Sequence, residues 1–159
     1  MYIQDMPSRL QVELKQSRPF PSLTTEAALG LQRTAAIVEH AAQEALRPFG
    51  ITATQYNVLR ILRGAGPSGL CGREVGERMI TRVPDVPRLL ERMEEAGLIT
   101  RVRDTEDRRH VIARITDAGL RLLDEATPAL EAMEQRFFGH LVPEALQSLI
   151  ETLDSVRER

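Results

Sequence analysis

The 159-residue chain reads as a mainly α protein with a small β-wing: a winged helix-turn-helix flanked by N- and C-terminal helices. Three observations carry that reading. First, two short helices follow one another, Arg73–Met79 and a second near Pro84–Ala96. In the second, Val86, Leu89, Leu90 and Met93 fall at i, i+3, i+4 and i+7, one apolar face of a 3.6-residue period. Next, Leu98–Arg103 and Val111–Thr116 read as strands, with Val111, Ala113 and Ile115 alternating against Ile112 and Arg114. Their connection, Asp104-Thr105-Glu106-Asp107-Arg108-Arg109-His110, is too long for a tight turn and carries paired arginines. Finally, amphipathic helical stretches on both sides carry more apolar face than a small winged domain needs.

In chain order, Met1–Ser22 contains Pro7, Pro19 and Pro21 around a short helical piece, Leu10–Lys15. It reads as an arm (1–23) that either packs on a partner subunit or stays disordered. Residues 24–159 then read as one domain, with a winged core at 52–116. Thr24 or Thr25 is placed to cap the first long helix, with Glu26 in its first turn. Leu31, Ala35, Val38, Ala42 and Ala45 continue that helix to about Leu46, and Pro48 and Gly50 end it. Thr52, with Gln55 three residues on, forms a capping box for a helix whose buried side is Val58, Leu59 and Leu62. Gly97 stands where a helix end wants a left-handed residue, and Leu98 can fold back onto it.

After the hairpin, Thr116 caps a helix with Asp117 in its first turn. Its stripe is Leu120, Leu123, Thr127, Leu130, Met133 or Glu134, Phe137 and Leu141, and Pro128 inside the pattern is expected to kink or divide it. Pro143 takes the first position of the last helix, whose apolar face is Leu146, Leu149, Ile150, Leu153 and Val156. The helices over 24–50 and 117–159 are read as dimerisation helices, because pairing would bury the surplus apolar face.

Composition excludes several classes of function. Aromatic residues are 4% with no Trp, so the core must be aliphatic. No apolar run approaches the ~20 residues that span a bilayer, and Asp5 and Glu13 stand where a signal peptide would need an apolar stretch. The single cysteine, Cys71, allows no intrachain disulfide and fits a reducing cytoplasm. Gly64, Gly66 and Gly69 satisfy G-x-G-x-x-G, but the pattern follows a helix and contains Pro67, so a connector is favoured over a dinucleotide loop. Leu70 is expected to lend one short strand residue to the wing. His40, His110 and His140 are scattered and show no zinc-ligand spacing. No nucleophile, base and orienting acid stand at motif spacing either, so neither a cofactor nor an enzyme is expected. The net charge of −2 does not mark a nucleic-acid binder. Arg73–Arg114 holds ten Arg against nine acidic residues, so phosphate binding depends on where the arginines point.

Arg88-Leu89-Leu90-Glu91-Arg92-Met93-Glu94, Gly97-Leu98-Ile99, Asp107-Arg108-Arg109 and Ile115-Thr116-Asp117-Ala118-Gly119, with the spacing between them, resemble the MarR family of multiple antibiotic resistance regulators. The resemblance runs from roughly Thr24 to the C-terminus. It implies a homodimeric regulator of double-stranded DNA, usually a repressor, often relieved by a small anionic or aromatic ligand or by oxidation. The alternative within the same fold is a protein-interaction module without specific DNA binding.

With Leu89, Leu90 and Met93 inward, Asp85, Arg88 and Arg92 are left on the outward face. Arg88 is the candidate for a base edge, because a guanidinium pairs in bidentate fashion with guanine O6 and N7. Arg92, nearly a turn later, is placed for phosphate, and Thr81 and Arg82 in the preceding turn for the DNA backbone. The competing account pairs Arg88 and Arg92 with Glu91, Glu94 and Glu95 along the helix. In the wing, the resemblance implies that Arg109 enters a narrow minor groove and that Asp107 orients it. Arg108 reads as a phosphate contact, and a solvated charge cluster is the alternative.

One departure is notable: Pro87 stands where relatives usually carry Thr before the recognition-helix arginine. If Pro84 opens the helix, Pro87 loses a needed N–H. If Asp85 caps it, Pro87 is second and loses nothing, which is the preferred reading.

The family's effectors usually sit between the dimer helices and the winged domain. There His40, Tyr56, Arg60 and Arg63, with Arg33 as a further candidate, are the available polar groups. Arg60 or Arg63 could hold a carboxylate; the alternative is surface charge and a solvated His. Peroxide-sensing relatives carry their reactive cysteine near the N-terminus, where this chain has none, so Cys71 is not favoured as a redox switch.

Overall fold

The structure, a computed structural model, describes residues 6–104 and 110–158. The chain divides into two compact units, Met1–Ala41 and Ala42–Arg159. The first contains α1 (Arg9–Glu13), capped by the Ser8 side chain, and most of α2 (Leu23–Leu46). The cap of α2 is Ser22 and not Thr24 or Thr25. The Ser22 hydroxyl accepts the Thr25 N–H at 3.1 Å, and the Thr25 hydroxyl hydrogen-bonds back to it. A serine directly before Leu23 thus captures the helix start two residues earlier than the threonines would.

The second unit is organised around α3 (Ala53–Ala65), a wing sheet and two C-terminal helices. A 3-10 turn at Arg47–Phe49 and Gly50, at φ 70°, close α2 as expected of Pro48 and Gly50. The capping box of α3 is formed: the Gln55 N–H donates to Thr52 Oγ1 at 3.1 Å and the Thr52 N–H to Gln55 Oε1 at 2.9 Å. Val58, Leu59 and Leu62 are fully buried, with Leu46, Val75, Met93, Ile99 and Leu123 completing an aliphatic centre. Each such side chain removed from water stabilises by about 1.5–3 kcal/mol.

The glycine-rich stretch is more ordered than a connector. Gly64 lies inside α3, a 3-10 turn covers Gly66–Ser68, and β1 (Leu70–Cys71) follows before α4 (Gly72–Arg78). Among the described residues no strand precedes the glycines, which follow α3 directly, so they do not form a dinucleotide loop. β1 joins β2 (Ile99–Arg103) and β3 (Val111–Ile115) in an antiparallel sheet of order β1-β3-β2, with Leu70 opposite Ala113 and Val102 opposite Ile112. Gly69 lets β1 approach, since a Cβ there would overlap the Ala113 carbonyl oxygen.

Between α4 and β2 in the chain comes α5 (Val86–Glu95). Its end is a Schellman motif: the Leu98 N–H reaches the Met93 carbonyl at 3.0 Å and the Gly97 N–H the Glu94 carbonyl at 2.8 Å, with Gly97 at φ 73°. Glu94 then grips β2. One carboxylate oxygen accepts the Arg101 backbone N–H and the other its Nε, both at 2.9 Å. The Arg101 side-chain hydrogen bond leads in holding the Glu94 carboxyl below the ordinary carboxylate range. In the same way the backbone N–H of Cys71, at 2.8 Å, holds the Glu74 carboxyl down at the start of α4.

Thr116 caps α6 (Asp117–Phe138) through the Gly119 N–H, as the sequence indicates. The helix runs unbroken through Pro128, so the expected division does not occur. Pro128 is on the exposed side while Leu123, Ala126 and Met133 are buried on the other, so packing on both sides of the proline keeps the helix continuous. α7 (Pro143–Arg157) starts at Val142-Pro143 as expected, yet none of its residues is buried and Leu149, Ile150 and Val156 are exposed.

Two consequences can be measured. A Cβ on Gly119 would run into the Leu98 carbonyl oxygen where α6 crosses the strand entry, whereas one on Gly64 meets open space. Gly119→Ala should therefore cost about 1–3 kcal/mol in thermal or urea unfolding, and Gly64→Ala should be neutral or slightly stabilising. Because the Glu94 carboxyl has a lowered pKa in the folded state, its contribution is present at neutral pH and is lost as acid titrates it. Glu94→Gln should lower the unfolding midpoint at neutral pH and flatten its decline through the carboxylate range. Parallel decline in both proteins would refute that role.

Candidate nucleic-acid interface

The surface opposite the core face of α5 is built from its cap outward. Asp85 is the N-cap, its Oδ1 accepting the Arg88 N–H at 2.9 Å, so Pro87 is the second helical residue and its missing N–H leaves nothing unpaired. Pro84 lies outside the helix. The cap employs the Asp85 carboxylate on the protein's own backbone. With Leu90 and Met93 buried, Arg88 and Arg92 lie roughly 160–200° around the axis from Leu90 at ~100° per residue. Both are exposed. Among the described residues neither guanidinium has an ion-pair partner, and Glu94, a candidate partner by sequence, is committed to Arg101.

The turn from α4 into α5 exposes Thr81 and Arg82. Its first amide, Ile80 N–H, donates to Asn57 Oδ1 on α3 at 3.0 Å. Nothing local in the sequence marks Asn57 for this, since the bond joins residues 23 apart. Beneath the turn lies an open hollow of about 440 Å³, lined by Arg73, Glu77, Met79, Arg82, Val83 and Val86.

The strands of the wing stay paired to the base of its tip, where the Asp104 N–H meets the His110 carbonyl at 2.9 Å. Asp107, Arg108 and Arg109 lie outside the described residues. Other arginines of the segment are spent within the fold. Arg101 is held by Glu94, Arg114 Nε donates to the Pro67 carbonyl at 2.7 Å, and Arg73 pairs with Glu77 at 3.4 Å. Among the described residues, Arg82, Arg88 and Arg92, like Arg78 on α4 and Arg103 on β2, have no ion-pair partner, and the first three lie on or beside α5.

Of the residues singled out for an effector, Tyr56, Arg60 and Arg63 lie on α3 at i, i+4 and i+7. Tyr56 is buried with its hydroxyl 2.9 Å from Thr127 Oγ1. The Thr127 hydroxyl already donates to the Leu123 carbonyl, so Tyr56 is the donor and its proton is engaged. Arg63 pairs with Asp124 on α6 at 3.2 Å. Arg60 is exposed, and His40 belongs to the first unit. Cys71 is buried. Among the described residues no three His, Cys, Asp or Glu side chains cluster as a metal site, and no helix is long and apolar enough to cross a membrane.

The MarR family profile matches residues 51–111, from the cap of α3 to the start of β3. A MarR transcription factor from Planctomyces limnophilus is 37% identical, with a TM-score of 0.66 over 85% of this chain and 98% of that one. CouR from Rhodococcus jostii, solved with p-coumaroyl-CoA, is 28% identical with a TM-score of 0.73 over 86% and 95% of the two chains. MepR of Staphylococcus aureus, solved in complex with DNA, is 25% identical with a TM-score of 0.74 over 81% and 94%. The capped α5 with its outward arginines, the three-stranded wing and these likenesses agree, and the chain belongs to the MarR family of DNA-binding transcriptional regulators.

Proposed function

We propose that this regulator works as a homodimeric, sequence-specific repressor on double-stranded DNA, released by a small anionic or aromatic ligand. The observation that carries the DNA part is the pair of exposed guanidinium groups on α5, Arg88 and Arg92, unpaired among the described residues and opposite buried Leu90 and Met93. In this reading α5 enters the major groove, Arg88 addresses a guanine edge and Arg92 a phosphate. Thr81 and Arg82 meet the backbone beside it. Asp85 contributes by capping α5 at the groove. At the wing, Arg109 enters the minor groove, oriented by Asp107, and Arg108 contacts phosphate. The complex of MepR with DNA supports this assignment by likeness of fold.

Dimerisation is supported by the open apolar side chains of α7, Leu149, Ile150 and Val156, which a second copy would remove from water. Two-fold symmetry then calls for an imperfect palindrome with half-sites about one helical turn apart. For the effector, the p-coumaroyl-CoA bound by CouR supports a ligand with an anionic and an aromatic part. Arg60, exposed on α3 and without an ion-pair partner among the described residues, is suited to its charge. His40 is a second polar candidate, and Tyr56 and Arg63 would have to exchange Thr127 and Asp124 for ligand.

The test is binding of the purified protein to its own upstream DNA and to an unrelated duplex at two salt concentrations. Selective binding with a steep salt slope is expected. Weak binding without selectivity, persisting after ligand removal, would favour the protein-interaction module instead. Arg88→Ala should relax discrimination at one base position by about 1–3 kcal/mol per half-site. An equal loss on every sequence would remove its base-reading role. Arg109→Ala should weaken all duplexes and reduce the salt slope by about one, as read in the same titrations.

A further inference from the structure

The turn between α4 and α5 has few restraints of its own. Among the described residues, no backbone N–H from Ile80 to Asp85 donates to a backbone carbonyl. The Ile80 side chain is 87% exposed and anchors nothing; Met79 and Val86 pack against the core at the two ends of the turn, and an open hollow is lined by them and Val83. What reaches the turn is Asn57, whose Oδ1 accepts the Ile80 N–H at 3.0 Å. Asn57 is itself well fixed: it sits in α3 between buried Tyr56 and buried Val58, one turn beyond the capping box. The helix α3 therefore holds, through one side chain, the first amide of a turn whose own backbone N–H groups find no backbone partner among the described residues.

We infer that Asn57 is a positioning residue for DNA binding, holding the α4–α5 turn so that Thr81 and Arg82 meet the DNA backbone. The inference rests on the reading of Thr81 and Arg82 as backbone contacts. Without the Asn57 acceptor, the Ile80 amide turns to water and the turn samples arrangements in which those two side chains leave the phosphates. The ordering entropy must then be supplied on binding. Asn57 is not expected to touch DNA.

A mutant cycle tests this on the intact protein with its own upstream duplex. The Thr81→Ala/Arg82→Ala double variant is measured first; unchanged affinity would defeat the contact reading itself, independently of Asn57. Given a loss there, Asn57→Leu, similar in size but without the oxygen, should weaken binding about tenfold alone. It should lose less than about twofold in the Thr81→Ala/Arg82→Ala background and again about tenfold in the Arg109→Ala background. Asn57→Asp, which keeps the acceptor, should retain slow hydrogen exchange at the Ile80 amide, which Asn57→Leu loses while its unfolding midpoint stays near the parent's. Asn57→Ala serves for the same cycle if the leucine variant does not fold. No loss on the parent duplex, or the same loss in every background, overturns the inference.

Discussion

Met93 is fully buried and Leu90 nearly so, and their position in the core sets the rotation of α5 about its own axis. Everything proposed for the outward face depends on that rotation, because a helix that presents Leu90 and Met93 inward has no choice but to present Arg88 and Arg92 outward. Two further contacts make the setting rigid. The Gly97 end folds Leu98 into the core, and Glu94 holds Arg101 by backbone and side chain at once. α5 and the wing strand that follows it are thus joined by backbone and side-chain bonds together. A charged pair at that junction is worth more as geometry than as Coulomb energy, since both side chains are partly open to solvent.

The near-neutral charge of the winged segment gains meaning only from how its arginines are used. Arg73, Arg101 and Arg114 are bound to Glu77, Glu94 and the Pro67 carbonyl, where they tie α4, β2 and β3 to their surroundings. Arg82, Arg88 and Arg92 are left unpaired among the described residues, all on or beside the turn and the outward side of α5. An acidic protein can present a cationic face in this way, because phosphate attraction acts within about a Debye length and depends on the local arrangement.

The aliphatic core and the open apolar helix have different physical duties. Leu46, Leu59, Leu62 and Leu123 are buried within the second unit and hold the winged fold together. α7 carries the same kind of side chains at helical spacing and leaves them exposed, which is costly for a chain alone and natural for a surface that meets a second copy. It starts without a side-chain cap, on Pro143 at its first position, because where a helix begins is a local matter and its burial is not.

That distinction separates what could be read from residues in a row from what could not. The Thr52–Gln55 box, the Asp85 cap that makes Pro87 harmless, the Gly97 helix end, the Thr116 cap and a strand residue at Leu70 were legible. Each depends on hydrogen bonds or patterns within a few residues, or on side-chain periodicity against one core. Ser22 displaced the threonines as cap of α2 because several nearby hydroxyls competed for one role, and only the folded backbone chose between them. Pro128 sits inside an unbroken helix because packing on both sides outweighed a local breaker. Asn57 with Ile80, Tyr56 with Thr127 and Arg63 with Asp124 join residues 23, 71 and 61 apart. No local rule selects such pairs among the chain's many donors and acceptors. They exist because hydrophobic burial brought α3, α4 and α6 together, and only then did particular polar groups find themselves in reach.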